Sequence, residues 1–475
     1  MDFRREDFYG IWLGNRIKIS IYLVFLVCNG IIYFILMGAD TMSIFEERES
    51  NVRSYCRNFP KVFKKAKGSI LYSEYGDEYI DFFAGAGALN YGHNNDYIKE
   101  KLLDYLESDC IVHGLDMYTG AKREFIEKFT EKILKPLDYD YKIQFCGPTG
   151  TNGVEAALKL ARKVKGRTGV FSFMGAFHGM SLGSLSATSD SKSRAGAGLP
   201  LGNVTFMPYP DSTMKNIDTM EYMETVLKDD HSGIDKPAAI LLETVQAEGG
   251  VYVAPVEWLK KLERLCVKHD ILLICDDIQV GCGRSGNFFS FQRAGIRPDM
   301  VVLSKSISGY GLPMSILLLK PEYDIWKPGE HNGTFRGDQL SFVAAASALE
   351  QRENICLEKR VKENESIIND FLIEKIAPID DSIEIRGIGM IWGIDLSKFS
   401  EKYPQNKNII KDIVTKCFEK GLIIERAGRN DSVIKILPAL IIEKDILKDG
   451  LNILRDSIME CILDMKRDPE LVAII

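Results

Sequence analysis

The ten cysteines, scattered from Cys28 to Cys461, include no CxxC pair. That spacing excludes zinc ribbons and disulfide frameworks and leaves the reduced thiols of a cytosolic chain. An excess of one charge is also missing. The 60 Lys and Arg set against 67 Asp and Glu give a net charge of −7 with the signs interspersed, so the basic footprint of a nucleic-acid binder is absent. After Met42 there is no Pro/Gly/Ser linker, repeat or low-complexity tract, so any domains interleave instead of following one another. What remains is a chain of 475 residues, 45% hydrophobic and 27% charged, the balance of a folded, enzyme-sized protein with a small-molecule partner.

One segment departs from that balance. From Ile17 to Ala39 the chain is almost wholly apolar, and about 20 such residues suffice for a membrane-spanning helix. Arg4, Arg5, Arg16 and Lys18 precede or open it, so an inserted helix would leave the rest of the chain outside the cytoplasm. A hydrophobic arm packed on the protein is one alternative. The other, preferred, is synthesis beginning at Met42, where Met42-Ser-Ile-Phe-Glu-Glu opens a charged stretch. On that expectation residues 1–42 stand apart, no membrane is involved and the protein is cytoplasmic.

In the body, short continuous apolar runs appear at Val170–Phe173, Ala238–Leu242, Ile271–Cys275 and Met300–Leu303, separated by segments able to form helices, such as Trp258–His269. Continuous runs, as opposed to alternating ones, belong to strands buried on both faces, as in a parallel sheet. Ligands of such sheets gather beyond the carboxyl ends of the strands. The residues found there are Glu243, Asp276 with Asp277, and Ser304-Lys305. From about Leu340, helical patterns alternate with strands predicted at Ile388–Ile394, Gly421–Glu425 and Val433–Leu437, a smaller α+β lobe.

Three features on this frame carry chemistry. Gly147-Pro-Thr-Gly-Thr-Asn152 follows the run Ile143–Cys146 and leads into a helix at Glu155. Small residues at a helix N-terminus present free N–H groups and hydroxyls to a phosphate, although Thr149 and Thr151 could equally serve as caps. The loop lacks both the Walker lysine and GxGxxG spacing. Asp276, at the end of a buried strand, needs a cation or a donor to stay ionised, for which a protonated pyridine nitrogen would serve; capping the next turn is the plain alternative. Lys305, on the same rim, would have a depressed pKa and could bond an aldehyde, although most lysines lie on solvated loops. Together these residues match the three functional ends of pyridoxal phosphate.

The body resembles the class III (ω-amino acid) pyridoxal-phosphate aminotransferases of fold type I, from about Tyr55 to about Ile442. Besides the loop above, the resemblance rests on His113-Gly-Leu-Asp-Met117, Leu303-Ser-Lys-Ser-Ile-Ser-Gly-Tyr-Gly-Leu-Pro-Met314 and His331-Asn-Gly-Thr-Phe-Arg-Gly337, and within the family it is nearest the diaminobutyrate-forming branch. It implies an α/β fold with a large, mostly parallel cofactor domain at 96–339. The smaller α+β domain would be built from both chain ends, at 43–95 and 340–475. It further implies pyridoxal 5′-phosphate as cofactor, no metal, and a homodimer or higher assembly with active sites at the interface. Glutamate would donate an amino group to aspartate 4-semialdehyde, giving 2,4-diaminobutyrate, as in ectoine biosynthesis. Ornithine- or 4-aminobutyrate-type acceptors, siderophore or polyamine routes, and an inactive membrane-tethered scaffold are the alternatives.

Carried over by position, the resemblance makes Lys305 the covalent anchor and proton shuttle, and Asp276 the partner of the ring nitrogen. Thr149, Gly150 and Thr151 would hold the phosphate, with Thr334 reaching it from the neighbouring subunit. Phe177 and Ile278 would flank the ring, Gln279 would reach its hydroxyl, and Glu243 would lie beside it. Glu248 resembles a switching glutamate that pairs with a carboxylate-binding cation. Where many relatives carry an arginine that clamps the α-carboxylate of glutamate, this chain has Lys435, a point charge instead of a fork; Arg386 is the other candidate, with a structural role in holding its turn as the alternative.

Overall fold

The computed structural model describes residues 23–28, 31–36, 43–210, 217–404, 406 and 408–467. The chain divides into two compact units, residues 1–63 and 64–475. In the first, Leu23–Cys28 and Ile31–Leu36 form an antiparallel pair in register from Leu23 opposite Leu36 to Cys28 opposite Ile31. Within the apolar run the described residues are therefore strands, not the helix required for a membrane span; the rest of that run lies outside the described residues. Its β-branched and aromatic content favours strands, and Asn29-Gly30 at its centre is a pair favoured in tight hairpin turns. Among the described residues no helix is long and apolar enough to cross a membrane.

The second unit is organised around a seven-stranded sheet. Its spatial order is Lys142–Phe145, Ile316–Leu319, Met300–Leu303, Leu272–Asp276, Ala239–Leu242, Val170–Phe173 and Val204–Met207. Only Ile316–Leu319 runs against the other six. Alternate residues serve two cores, as pleating requires. Phe171, Ile240, Leu273, Val301 and Leu318 join the aromatic cluster of Phe125, Phe129, Phe289 and Trp258. Val170, Leu241, Leu272, Val302 and Leu317 pack with Val154, Leu158 and Ala161 of the helix Gly150–Lys165. Apolar burial on both faces explains the continuous hydrophobic runs in the sequence.

Two four-stranded sheets complete the unit. In one, Leu422–Ile423 pairs in parallel with Glu78–Asp81, so distant parts of the chain share a sheet. In the other the order is Glu384–Ile388, Ile391–Asp395, Val433–Ile436 and Glu425–Ala427, all antiparallel. The single strand predicted at Ile388–Ile394 is thus two strands joined by a turn at Gly389-Met390. The segment predicted as Gly421–Glu425 is divided between the two sheets. The helix after the small-residue loop begins at Gly150, earlier than the predicted Glu155, with Thr149 at the N-cap and Asn152 in the first turn, whose Oδ1 accepts from the Thr149 backbone N–H at 3.2 Å and from the Thr149 hydroxyl at 3.0 Å.

Candidate active site

Neighbouring parallel strands deliver the reactive groups side by side. Glu243 follows Ala239–Leu242, Asp276 ends the next strand and Lys305 lies two residues beyond Leu303 in the third. The turn after Val170–Phe173 supplies Phe177 and His178. With Thr149, Gly150, Thr151, Glu248, Ile278 and Gln279, these residues line a cavity of about 340 Å³. Close approach fixes two glycines there. A Cβ at Gly150 would lie 2.8 Å from Ile278 Cδ1, and one at Gly179, with φ of +125°, would lie 2.6 Å from Thr151 Oγ1.

Asp276 is buried, accepts the Ile278 N–H at 3.1 Å and lies 2.7 Å from Nδ1 of buried His178. Burial first, and then the charge of Asp276, push the Glu243 carboxyl well above the usual carboxylate range, while the Phe177 N–H donates to its Oε2 at 3.1 Å. Adjacent carboxyl groups in one pocket thereby divide their tasks. The Thr151 hydroxyl is held by Ser181 at 2.6 Å and by Ser184, and both serines are oriented by Glu155 Oε1, which accepts from Ser181 Oγ at 2.9 Å and Ser184 N–H at 3.1 Å.

Lys305 adopts left-handed backbone, with φ of +50°, which few residues with a Cβ occupy without support. Its ammonium donates to the Ala86 carbonyl at 2.9 Å, and the same carbonyl accepts from Gln279 Nε2 at 2.9 Å. Burial pushes the Lys305 pKa down against the pull of Glu248, Glu425 and Asp276. This readies the amine to lose its proton and act as nucleophile or base.

Behind Glu248 stands the antiparallel sheet. Lys435 is fully buried and meets Glu248 Oε1 at 2.7 Å and Glu425 Oε1 at 2.9 Å. Burial opposes its charge, but the two carboxylates more than compensate and hold its pKa above the ordinary lysine value. Burial likewise opposes the Glu248 charge, yet Lys435, Lys305 and a 3.1 Å hydrogen bond from Gln279 hold its pKa at about 2.

A strand-end lysine, a carboxylate and a small-residue helix N-terminus around one cavity define an enzyme that works through a bound aldehyde cofactor carrying a phosphate and a ring nitrogen. The donor set fits such a group. Gly150 and Thr151 lie in the first helical turn, where N–H groups lack helical partners, and buried Gln279 Oε1 has no hydrogen-bond partner although it can accept a hydroxyl. A family model described as aminotransferase class III matches residues 53–458. The chain belongs to the class III aminotransferases, which use pyridoxal 5′-phosphate.

Among its relatives, the diaminobutyrate–2-oxoglutarate transaminase of Bordetella parapertussis is 51% identical over 424 residues, 89% of this chain and 96% of the relative. That of Sporosarcina pasteurii is 52% identical over 425 residues, 89% and 97% of the two chains. Solved structures show the same fold. The ornithine aminotransferase of Toxoplasma gondii has a TM-score of 0.77 at 24% identity, covering 90% of this chain and 95% of its own. For the taurine:2-oxoglutarate aminotransferase of Bifidobacterium kashiwanohense the TM-score is 0.78 at 23% identity, over 88% and 96% of the chains.

Of the residues singled out from sequence, Thr149, Gly150, Thr151, Phe177, Glu243, Glu248, Asp276, Ile278, Gln279 and Lys305 converge on the cavity. Lys435 stands behind Glu248, outside the lining. Arg386 is engaged elsewhere: it donates to Gly250 O at 2.8 Å and Asp395 Oδ2 at 2.7 Å and lies 3.9 Å from the Tyr252 ring centre. Thr334 is exposed and does not line its own chain's cavity. Sequence reasoning missed two groups, His178 on Asp276 and Glu425 on Lys435. The first had a local signal in Phe177-His178-Gly179; the second depends on strand pairing and had none.

Proposed function

We propose that the chain transfers the amino group of L-glutamate to L-aspartate 4-semialdehyde, yielding 2-oxoglutarate and L-2,4-diaminobutyrate. The observation that carries this reading is the Glu248–Lys435 pair, with the glutamate in the cavity lining and the lysine buried behind it. A buried cation for the α-carboxylate of the donor, covered by a glutamate of the cavity lining, would let one site alternate between a dicarboxylate and an ω-amine. The names of the 51–52% identical relatives support the same donor and product.

The cofactor supplies a carbonyl carbon for amine exchange and a ring that takes up electrons. On our reading, Lys305 would be the residue bonded to that carbon and the acid–base group that moves a proton at the substrate carbon. Asp276, hydrogen-bonded to His178, would pair with the ring nitrogen, Phe177 and Ile278 would flank the ring, Gln279 would accept from the ring hydroxyl, and Thr149, Gly150 and Thr151 would hold the phosphate. Lys435 then receives a carboxylate of glutamate. Thr334 reaches the phosphate of a partner chain, which makes the enzyme a homodimer with shared sites. The exposed apolar residues Ile111, Val112, Met117, Tyr118 and Phe335 near that loop and the His113 motif support such an interface. A cytoplasmic location and supply of diaminobutyrate to ectoine synthesis belong to the same proposal.

Incubating the holoenzyme with glutamate and aspartate 4-semialdehyde, and identifying products by mass spectrometry, tests the reading. It predicts equimolar 2-oxoglutarate and 2,4-diaminobutyrate, with slower turnover of glutamate 5-semialdehyde and succinic semialdehyde. Preference for either of those acceptors would refute it.

A further inference from the structure

The cation buried behind the cavity lining, Lys435, has two carboxylate neighbours that differ in position. Glu425 and Lys435 are directly opposed on antiparallel strands. Glu425 is buried behind the wall, whereas the Glu248 side chain is about one-third exposed and lines the cavity. The Lys435 ammonium donates to Glu248 Oε1 at 2.7 Å and lies 2.9 Å from Glu425 Oε1, which accepts no hydrogen bond, so Glu425 acts on it through charge. A substrate carboxylate can displace Glu248, but it must share Lys435 with Glu425, which the strand pairing holds in place.

We propose that Glu425 is a positioning residue that sets how strongly Lys435 holds a substrate carboxylate: ionised, it shares the ammonium and weakens that hold; protonated, it leaves the ammonium to the substrate. The proposal rests on the reading of Lys435 as the site for the donor's carboxylate and deepens it. The charged groups acting on Glu425 are Lys435, Glu248 and Lys305. The helix Ile409–Glu419, packed against its strand, turns inward apolar side chains and one titratable group, the Cys417 thiol. Burial, opposed by Lys435, lifts the Glu425 carboxyl to about 7. Its two forms therefore exchange across the neutral range, and dicarboxylate binding should weaken as pH rises through it.

Binding of glutarate, a five-carbon dicarboxylate without the reacting amine, to the holoenzyme at pH 6 to 9 tests this by calorimetry. In the wild type the Kd should rise about fivefold or more across that range. In Glu425→Gln it should be tighter at pH 8 and nearly independent of pH; in Glu425→Asp, which keeps the charge, the dependence should persist with a shifted midpoint. A wild-type pH profile in Glu425→Gln overturns the proposal. If that variant does not fold, an unshifted profile in Glu425→Asp does so. Unaltered glutarate binding by Lys435→Ala overturns the underlying reading of Lys435, and the proposal with it.

Discussion

Two buried lysines, one in the lining of the active-site cavity and one behind it, are treated in opposite ways. Lys305, on the rim of the parallel sheet, has its pKa pushed down by burial, while Lys435, on the antiparallel sheet, has its pKa held up by Glu248 and Glu425. The first is set up to gain and lose a proton; the second is set up to stay charged. Residue type alone therefore says little about a lysine's task. The number and placement of carboxylates around it decide.

The largest effect expected from breaking that contrast is at Lys305. Lys305→Ala should reduce turnover at least about 10³-fold, since the proposed function makes Lys305 both covalent anchor and proton shuttle, while circular dichroism and non-covalent cofactor binding remain. Near-normal turnover would remove the assignment altogether. Lys435→Ala should cost the glutamate half-reaction about 2–5 kcal/mol and the semialdehyde half-reaction much less, as measured by separate single-turnover rates. Equal losses would mean that Lys435 is only structural.

The first lysine was legible in the sequence and the environment of the second was not. Continuous apolar runs identify buried parallel strands, and the rule that ligands gather at their carboxyl ends picks out Glu243, Asp276 and Lys305 without a structure. Glu425 lies ten residues before Lys435, separated by a turn. Its contact depends on antiparallel register, which a short strand without clear alternation does not reveal. The apolar segment near the N-terminus shows the same weakness. Length and hydropathy suggest a helix, but β-branched residues and Asn29-Gly30 favour the strands observed at 23–28 and 31–36.

A smaller effect should appear on the cofactor. If Thr334 completes a partner's phosphate site, Thr334→Ala should weaken cofactor binding by about 1 kcal/mol, roughly fivefold. Cofactor retention should also fall as the wild type is diluted, which gel filtration with absorbance detection would follow. A monomer that keeps its cofactor as tightly would rule out a shared site.

The smallest effect concerns stability. Because the folded state raises the Glu425 pKa from 4.5 to about 7, it favours the protonated form. Glu425 therefore imposes no penalty below about pH 4.5 and a growing one as pH rises through 7. Glu425→Gln should raise Tm relative to the wild type at pH 8 and by less at pH 5, as thermal melts would show. Glu248, with its pKa lowered to about 2, works in the other sense. Its stabilising contribution is present above about pH 4.5 and is lost as pH falls towards 2, so Glu248→Gln should narrow its Tm deficit between pH 5 and 3.

The central claim, one site alternating between glutamate and a semialdehyde, is tested most directly by single-turnover absorbance. Mixing holoenzyme with L-glutamate alone should abolish the visible cofactor band and release one 2-oxoglutarate per site. Adding L-aspartate 4-semialdehyde should then restore the band and yield one 2,4-diaminobutyrate. A band that persists with glutamate, or that bleaches but is not restored by the semialdehyde, would contradict the account.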